Sequence, residues 1–442
     1  MTEIRKQLSS FQIIILGFAS LIMIGSILLM LPIATQNSEG AHFLDALFTA
    51  TSAVCVTGLV VQDTATYWSI FGQAVILTLI QIGGMGIVTI AIAISRYSGK
   101  QISLKQRSTM QEAISAHKVG GIVNLTGFII KMVIIFELLG AFIMIPTFYK
   151  EFGLIKGIWY ALFHSISAFC NAGFDLMGIK TPYSSLTSFK DVPVINLTIM
   201  CLIIIGGIGF MTWDDIKTNK LHLKKYKMQS KVILITTVLL IFIPALYFFL
   251  FEFENKPMLE RSLSSFFQSV TTRTAGFNTS DLTQISETGT TITILLMLIG
   301  GSPGSTAGGM KTTTLAVLIA TAISVFKCRE HTHLFKRRIN DYTIRNAITI
   351  LMMYFVLFLT GGFIISHLEN LPLLHCLYET ASAIGTVGLT IGITPNLGII
   401  SKLILIILMY IGRVGGLTLI FSTRFVNRVN MTRLPQEKIT VG

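Results

Sequence analysis

Apolar runs alternate with short polar segments along nearly the whole chain. Eight runs are long, at about residues 11–33, 69–94, 124–148, 192–213, 230–251, 288–324, 343–366 and 399–421. Each holds the roughly 20 apolar residues that cross a bilayer as a helix. Between the members of successive pairs lie four shorter semi-apolar stretches, near 43–55, 157–170, 260–273 and 372–385. At a rise of about 1.5 Å per residue they reach only about halfway through the hydrocarbon. They predict short helices that dip in and return, or helices lying on the surface.

An internal repeat decides between these. Aligned without gaps, the four stretches read ALFTATSAVCVTGL (46–59), ALFHSISAFCNAGF (161–174), SSFFQSVTTRTAGF (264–277) and CLYETASAIGTVGL (376–389). Each places an aromatic ten residues before a glycine, and the glycines Gly58, Gly173, Gly276 and Gly388 are each followed by Leu or Phe. A second motif recurs in the later span of each unit: IGGMG (82–86), IGGIG (205–209), IGGSPG (299–304) and IGRVG (411–415). It follows the first by 25, 33, 24 and 24 residues. The unit is therefore span, short re-entrant helix, glycine loop, span. Two crossings per unit start every unit on one side, so the repeats are parallel about an axis along the membrane normal, and four like loops form a ring.

Composition agrees with this plan. Of 442 residues, 52% are hydrophobic and only 12% charged, about half the charged share of a soluble domain. A cytosolic enzyme, a disordered regulator and a secreted disulfide scaffold are excluded. The five cysteines (Cys55, Cys170, Cys201, Cys328, Cys376) form no CxxC pair or metal spacing. The apolar stretch from Phe11 to Leu31 is too long for a signal peptide's apolar region and reads as a first transmembrane helix. The net charge of +13 divides unevenly. The N-terminus, the three inter-repeat loops and the C-terminus carry 23 bases against seven acids, whereas the opposite face carries seven bases against twelve acids. The positive-inside rule makes the basic face cytoplasmic, with both termini on it. The surplus therefore fixes topology, and no nucleic-acid partner is expected. The expected order is 1–10 cytoplasmic N-terminus, 11–94 repeat 1, 95–123 loop, 124–213 repeat 2, 214–229 loop, 230–324 repeat 3 with a broken gating helix, 325–342 loop, 343–421 repeat 4 and 422–442 cytoplasmic C-terminus. Six charges remain at membrane depth: Lys131, Glu137, Arg273, Lys311, Glu379 and Arg413.

Non-helical backbone inside a bilayer is tolerated only where protein buries it or where it lines water. Glycine frees the chain to take φ > 0 and turn carbonyls toward a shared axis, and converging carbonyls can replace the hydration shell of a monovalent cation. The filter ligands are then backbone oxygens of Val56, Thr57 and Gly58; Asn171, Ala172 and Gly173; Thr274, Ala275 and Gly276; and Thr386, Val387 and Gly388. Close helix packing is the other use of such glycines. It is the better account of Gly83, Gly84 and Gly86 and of Gly206, Gly207 and Gly209, but not of four matched loops.

The run 288–324 is too long for one span, at about 55 Å as a helix. Gly300, Gly301, Ser302, Pro303, Gly304, Ser305, Thr306, Ala307, Gly308 and Gly309 interrupt it. Such a run is a poor helix interior; a broken helix whose middle lies under the filter is expected, the alternative being a proline kink. GSTAGGMKT (304–312) nearly spells a P-loop, but Met310 separates the last glycine from Lys311 and no strand precedes it. Arg413 replaces a glycine of the second motif. A base at that depth faces a cavity or a partner, and below a cation filter it opposes passage. Arg413 with the 300–309 loop, and Lys311 as gate or loop anchor, form the expected barrier. Lys131 snorkels, Arg273 suits an ion pair behind the filter with Glu379 as candidate partner, and His331 and His333 sit in a solvated basic loop.

These four pore motifs, GGSPGSTAGGMKT and IGRVGG resemble the Trk/Ktr/HKT superfamily of potassium transporters, most closely its KtrB-type membrane subunits, over about 11–421. Ten residues before the first span fit the shorter KtrB type. The resemblance implies an all-α polytopic membrane protein: four parallel span–pore-helix–filter-loop–span repeats around a central pore, pseudo-fourfold and K⁺-channel-like. It implies K⁺ uptake, Na⁺-assisted, in the cell membrane, by a homodimer with a cytosolic ring of nucleotide-binding KtrA- or KtrC-like subunits. No covalent cofactor is implied, and nucleotide belongs to that partner. A Na⁺ or non-selective cation transporter of the same fold is the alternative. A secondary transporter of an organic solute is more distant, because inverted repeats are common there. No arrangement of catalytic residues lies at matched depth, so no enzyme is expected.

Overall fold

The computed structural model describes residues 9–97, 102–113, 121–179, 181–220, 222–416 and 418. The expected N-terminal tail before Ser9 and the C-terminal segment 422–442 lie outside these residues. Apart from a two-stranded hairpin pairing His333–Leu334 with Arg337–Arg338, the regular structure is helical.

Four units repeat one pattern. The first comprises α1 (Ser10–Leu29), the short α2 (Phe43–Val54), α3 (Ile70–Met85), α4 (Ile87–Tyr97) and a connecting α5 (Leu104–Ala113). The second comprises α6 (Ile122–Phe152), α7 (Leu154–Phe169), α8 (Pro193–Ile208) and α9 (Phe210–Asn219). The third has α10 (Met228–Tyr247), α11 (Met258–Thr271), α12 (Glu287–Leu298) and α13 (Thr312–Phe326). The fourth has α14 (Asp341–Glu369), α15 (Leu373–Gly385) and α16 (Ile399–Val414). By length and apolar composition α1, α6, α10 (extended by a π-helical turn to Glu252) and α14 can each cross a membrane. Their apolar side chains are largely outward: Leu138, Leu139 and Phe142 on α6 and Phe242 and Ile243 on α10 are exposed. The short helices α2, α7, α11 and α15 are instead the buried centre, with Phe48, Phe163, Phe267 and Tyr378 enclosed.

The later spans are not the continuous helices that runs 69–94 and 192–213 lead one to expect. Each bends by 93°, between α3 and α4 and between α8 and α9. The hinge is the last glycine of the second motif, Gly86 at φ 83° and Gly209 at φ 96°. The matched Gly415 ends α16 at φ 87°. Three units therefore break at one register, where a glycine at positive φ supplies the turn; in the third, α12 ends earlier, at Leu298, and Gly304, one residue past the matched position, lies at φ 64° in the break before α13. A hydropathy run cannot reveal this, because the residues on both sides of the turn are apolar.

The first glycines of that motif seat each later helix against the C-terminal end of its own short helix. A β-carbon on Gly83 would collide with the Val54 carbonyl, on Gly206 with the Phe169 carbonyl and on Gly412 with the Ile384 carbonyl, three matched positions. A β-carbon on Gly207 would meet nothing within 4 Å. Gly206→Ala is accordingly expected to destabilise the protein by the roughly 1–3 kcal/mol of an overpacked site and Gly207→Ala to leave stability unchanged; thermal unfolding of both variants in one detergent checks this.

Candidate functional site: a four-loop ring over an interrupted helix

The four glycine loops meet in a closed cycle. A β-carbon on Gly58 would lie 2.5 Å from the Ala172 carbonyl oxygen, and one on Gly173 would lie 2.6 Å from that of Ala275. One on Gly276 would fall on the Val387 oxygen, and one on Gly388 on the Thr57 oxygen, which returns to the first loop. Each glycine is thus pressed against the carbonyl preceding the matched glycine of the next repeat. Only a residue without Cβ allows that approach.

The backbone follows one rule in every loop. The first and third positions of each triplet have positive φ: Val56 49° and Gly58 92°, Asn171 58° and Gly173 70°, Thr274 87° and Gly276 79°, Thr386 51° and Gly388 92°. Non-glycine residues, β-branched ones above all, resist this region, so the surrounding structure must impose it. Ser52, Ser167 and Ser382, each six residues before its glycine, share in doing so. The Ser52 hydroxyl accepts from the Gly58 N–H and the Ser382 hydroxyl from the Gly388 N–H, both at 3.0 Å. The Ser167 hydroxyl instead donates to the Phe174 carbonyl at 2.7 Å, and in the third repeat the Thr271 hydroxyl donates to the Phe277 carbonyl at 2.6 Å. The serine common to three aligned stretches was the available signal for these struts. Within the four triplets, Thr57 Oγ1, Asn171 Oδ1, Thr274 Oγ1 and Thr386 Oγ1 are buried without a hydrogen-bond partner, one oxygen from each repeat.

Under the ring, residues 299–311 run as a loop between α12 and α13, with Ile299 and Met310 paired as a single parallel bridge. Backbone hydrogen bonds stitch it to the other repeats. Ser302 N–H donates to Gly207 O at 3.0 Å, Thr306 N–H to Gly206 O at 3.3 Å, Phe210 N–H to Gly304 O at 2.7 Å and Gly309 N–H to Gly412 O at 3.2 Å. Thr306 touches the ring itself: its hydroxyl accepts from Asn171 Nδ2 at 2.9 Å and donates to Phe169 O at 3.0 Å. A β-carbon on Gly308 would strike the Thr386 side chain, so the loop passes directly beneath two filter triplets.

Both bases assigned to the barrier hold this arrangement. Lys311 Nζ donates to Ala307 O at 2.8 Å and Gly308 O at 3.3 Å, which folds the loop back on itself. The Arg413 guanidinium donates to Thr306 O in the loop and to Gly83 O and Gly84 O (3.0 Å) at the end of α3. It ties the fourth repeat to the third and the first, capping carbonyls that the break at Gly86 leaves without a full helical complement. Beside it opens a cavity of about 220 Å³ lined by Gly84, Ser305, Ala307, Lys311, Tyr354 and Arg413.

Other expected pairings differ. Arg273 is buried and its Nε has no hydrogen-bond partner. Glu379 does not meet it; the carboxylate accepts from Thr390 and, at 2.7 Å, from Thr394, bracing the chain just beyond Gly388. Short polar residues after the filter reach that acid more easily than a long guanidinium on another repeat. At the N-terminal end of α11, Glu260 is buried, which opposes its charge, yet Lys256 (3.1 Å) and Lys190 (3.2 Å) hold its carboxyl below the usual range. His331 contacts Glu330 at 3.8 Å, and no cluster of metal-ligating side chains occurs among the described residues.

Four buried re-entrant loops around one axis define a multi-pass membrane protein built about a central pore. Residues 4–429 match the TrkH family, described as cation transport proteins, and the chain belongs to that family. It is 40% identical to the potassium/sodium uptake protein NtpJ of Enterococcus hirae, over all of this chain and 99% of that one. It is 39% identical to the Ktr system potassium uptake protein B of Bacillus subtilis, over 98% and 96% of the two chains. Its fold matches the crystal structure of the potassium transporter TrkH from Vibrio parahaemolyticus with a TM-score of 0.72 at 19% identity, covering 96% of this chain and 87% of that one.

Releasing the Arg413 anchor should loosen the loop. With a Ser305→Cys reporter, Arg413→Gln is expected to speed labelling by a small hydrophilic thiol reagent. Rates are compared with the same backgrounds lacking the reporter, because Cys201 and Cys328 are exposed; equal reporter rates would show that Arg413 does not lock the loop.

Proposed function

We propose that the chain is the potassium-translocating membrane subunit of a Ktr-type K⁺ uptake system, assisted by Na⁺. The observation that carries this reading is the cyclic contact of four glycines with four carbonyls, in loops whose backbone alternates about the axis. Carbonyl oxygens converging from four loops can exchange for the water of a monovalent cation. The buried, unpartnered oxygens of Thr57, Asn171, Thr274 and Thr386 fit the same role, since a buried polar group without a partner is costly unless a ligand meets it. The names of the full-length relatives support K⁺ as the ion, and the naming of sodium beside potassium in one of them supports a part for Na⁺. A cation transporter that admits Na⁺ equally is the second reading.

The filter is assigned to triplets 56–58, 171–173, 274–276 and 386–388, and the gate to residues 300–309 with Lys311 and Arg413. Arg413 places a fixed positive charge on the ion's route while its hydrogen bonds close the loop, so opening requires both to yield. The excess of bases on one face favours a cytoplasmic location for the termini, in the cell membrane, and the acidic opposite face draws cations to the mouth. The basic segments 217–231 and 327–338 are suited to receive a cytosolic ring of nucleotide-binding regulatory subunits, with the membrane subunit as a homodimer; nucleotide is then sensed by the ring.

Uptake of K⁺ or its tracer rubidium in a host lacking K⁺ uptake tests the function. Growth rescue is expected when a partner subunit is supplied, and none under that condition would overturn it. Two variants test the site. Gly58→Ser pushes a Cβ toward the Ala172 oxygen and is expected to lower K⁺/Na⁺ discrimination about tenfold, equivalent to roughly 1.4 kcal/mol. Arg413→Ala is expected to raise flux in the absence of the partner; competition assays and unpartnered flux measure the two effects.

A further inference from the structure

Behind the second filter loop lies a buried acid that neither filter nor gate uses. Glu137 sits in the middle of α6, with about 5% of its surface exposed. Ionisable groups at such depth are rare and are normally held by a specific partner. Here the partners are neutral and belong to two repeats. Gln81 Nε2, on α3, donates to Glu137 Oε2 at 3.1 Å. The Cys170 thiol, at the C-terminal end of α7, lies 3.9 Å from Glu137 Oε1 and 3.7 Å from Gln81 Oε1. The backbone carbonyl of Glu137 also accepts from the Ser165 hydroxyl at 2.6 Å.

Each partner stands next to a residue of the proposed gate or filter. Gln81 is two residues before Gly83 and three before Gly84, whose carbonyls Arg413 grips. Cys170 immediately precedes Asn171, whose side chain meets Thr306 of the loop. The space between them is tight, for a β-carbon on Gly84 would lie 2.6 Å from the Cys170 sulfur. A shift at Glu137 must therefore be passed to the Arg413 acceptors or to the lower end of the second filter loop.

We propose that Glu137 is a positioning residue for ion passage: by joining Gln81 of the first repeat to the end of α7 in the second, it sets the register of the gate acceptors against the filter. Its carboxylate never touches the permeating ion; it acts through Gln81 and Cys170. The inference rests on the filter and gate proposed above.

The test compares Glu137→Leu, Glu137→Gln and Gln81→Leu in the full chain, with surface expression measured for each. Glu137→Leu removes the acceptor and is expected to raise K⁺ flux in the absence of a partner several-fold and to lower K⁺/Na⁺ discrimination about tenfold, the scale expected when one buried donor, Gln81 Nε2, is left without its acceptor. Glu137→Gln keeps an acceptor oxygen and should remain within about twofold of the parent, a rescue consistent with a hydrogen bond. Gln81→Leu should reproduce the Glu137→Leu effect, and the double variant should be no worse than either alone. If Glu137→Leu cannot be expressed, Gln81→Leu carries the test. Parental discrimination and flux in Gln81→Leu, or equal defects in Glu137→Gln and Glu137→Leu, would overturn the proposal. Arg413→Ala in parallel separates the two levels: raised flux there with none in Gln81→Leu leaves the gate standing and removes only the role of Glu137.

Discussion

The contact on which the structure depends is that between a filter glycine and the carbonyl of the next repeat. It occurs four times and closes on itself, from Gly58 to Ala172, Gly173 to Ala275, Gly276 to Val387 and Gly388 to Thr57. A ring of irregular backbone at membrane depth cannot rely on water for its polar groups. Everything around it serves to satisfy or hold those groups. The short helices bring the chain to the axis and end there, and side-chain hydroxyls of Ser52, Ser167, Thr271 and Ser382 fix the peptides that follow. The later helices then close in from behind, which is possible because Gly83, Gly206 and Gly412 let them touch the short-helix carbonyls.

The third repeat breaks this symmetry, and the departure creates the proposed gate. Where the other units turn at a single glycine, this one runs 299–311 as a loop whose Gly308 meets Thr386 of the ring, whose Gly309 meets the end of α15 at Gly385, and whose Gly300 and Gly301 meet the loop itself. Symmetry of the ring with asymmetry beneath it separates two requirements. Equal loops are needed to surround an ion, whereas one movable obstruction is sufficient to block it. The loop is held by bonds within its own repeat, such as Gly300 N–H to Met310 O, and by bonds to Gly206, Gly207 and Gly412 of its neighbours, so the proposed gate is assembled jointly by several repeats.

The filter glycines and the glycine-rich interruption were legible in the sequence because glycine is chosen for what a side chain would prevent. The positive φ of Val56, Asn171, Thr274 and Thr386 was not, since no local preference of Val or Thr favours it and the ring imposes it from outside. The 93° bends at Gly86 and Gly209 were hidden by apolar residues on both sides, and these two glycines were read as helix-packing positions. The Ser52, Ser167 and Ser382 struts were visible in the alignment and lacked only a reason. The pairing of Arg273 with Glu379 failed because opposite charge alone says nothing about reach, and Thr390 and Thr394 lie nearer along the chain.

Four of the ionisable groups at membrane depth are held by neutral partners: Arg413 and Lys311 by backbone carbonyls, Glu379 by threonine hydroxyls, Glu137 by an amide. For a guanidinium, backbone carbonyls satisfy the hydrogen-bonding demand without supplying a counter-charge. In the proposed gate that distinction matters for Arg413: a guanidinium neutralised by a carboxylate would be an inert strut, whereas one held only by carbonyls would oppose a cation arriving from the ring. The carbonyls it occupies on Thr306, Gly83 and Gly84 belong to two different repeats, so the proposed gate is tied to both of them.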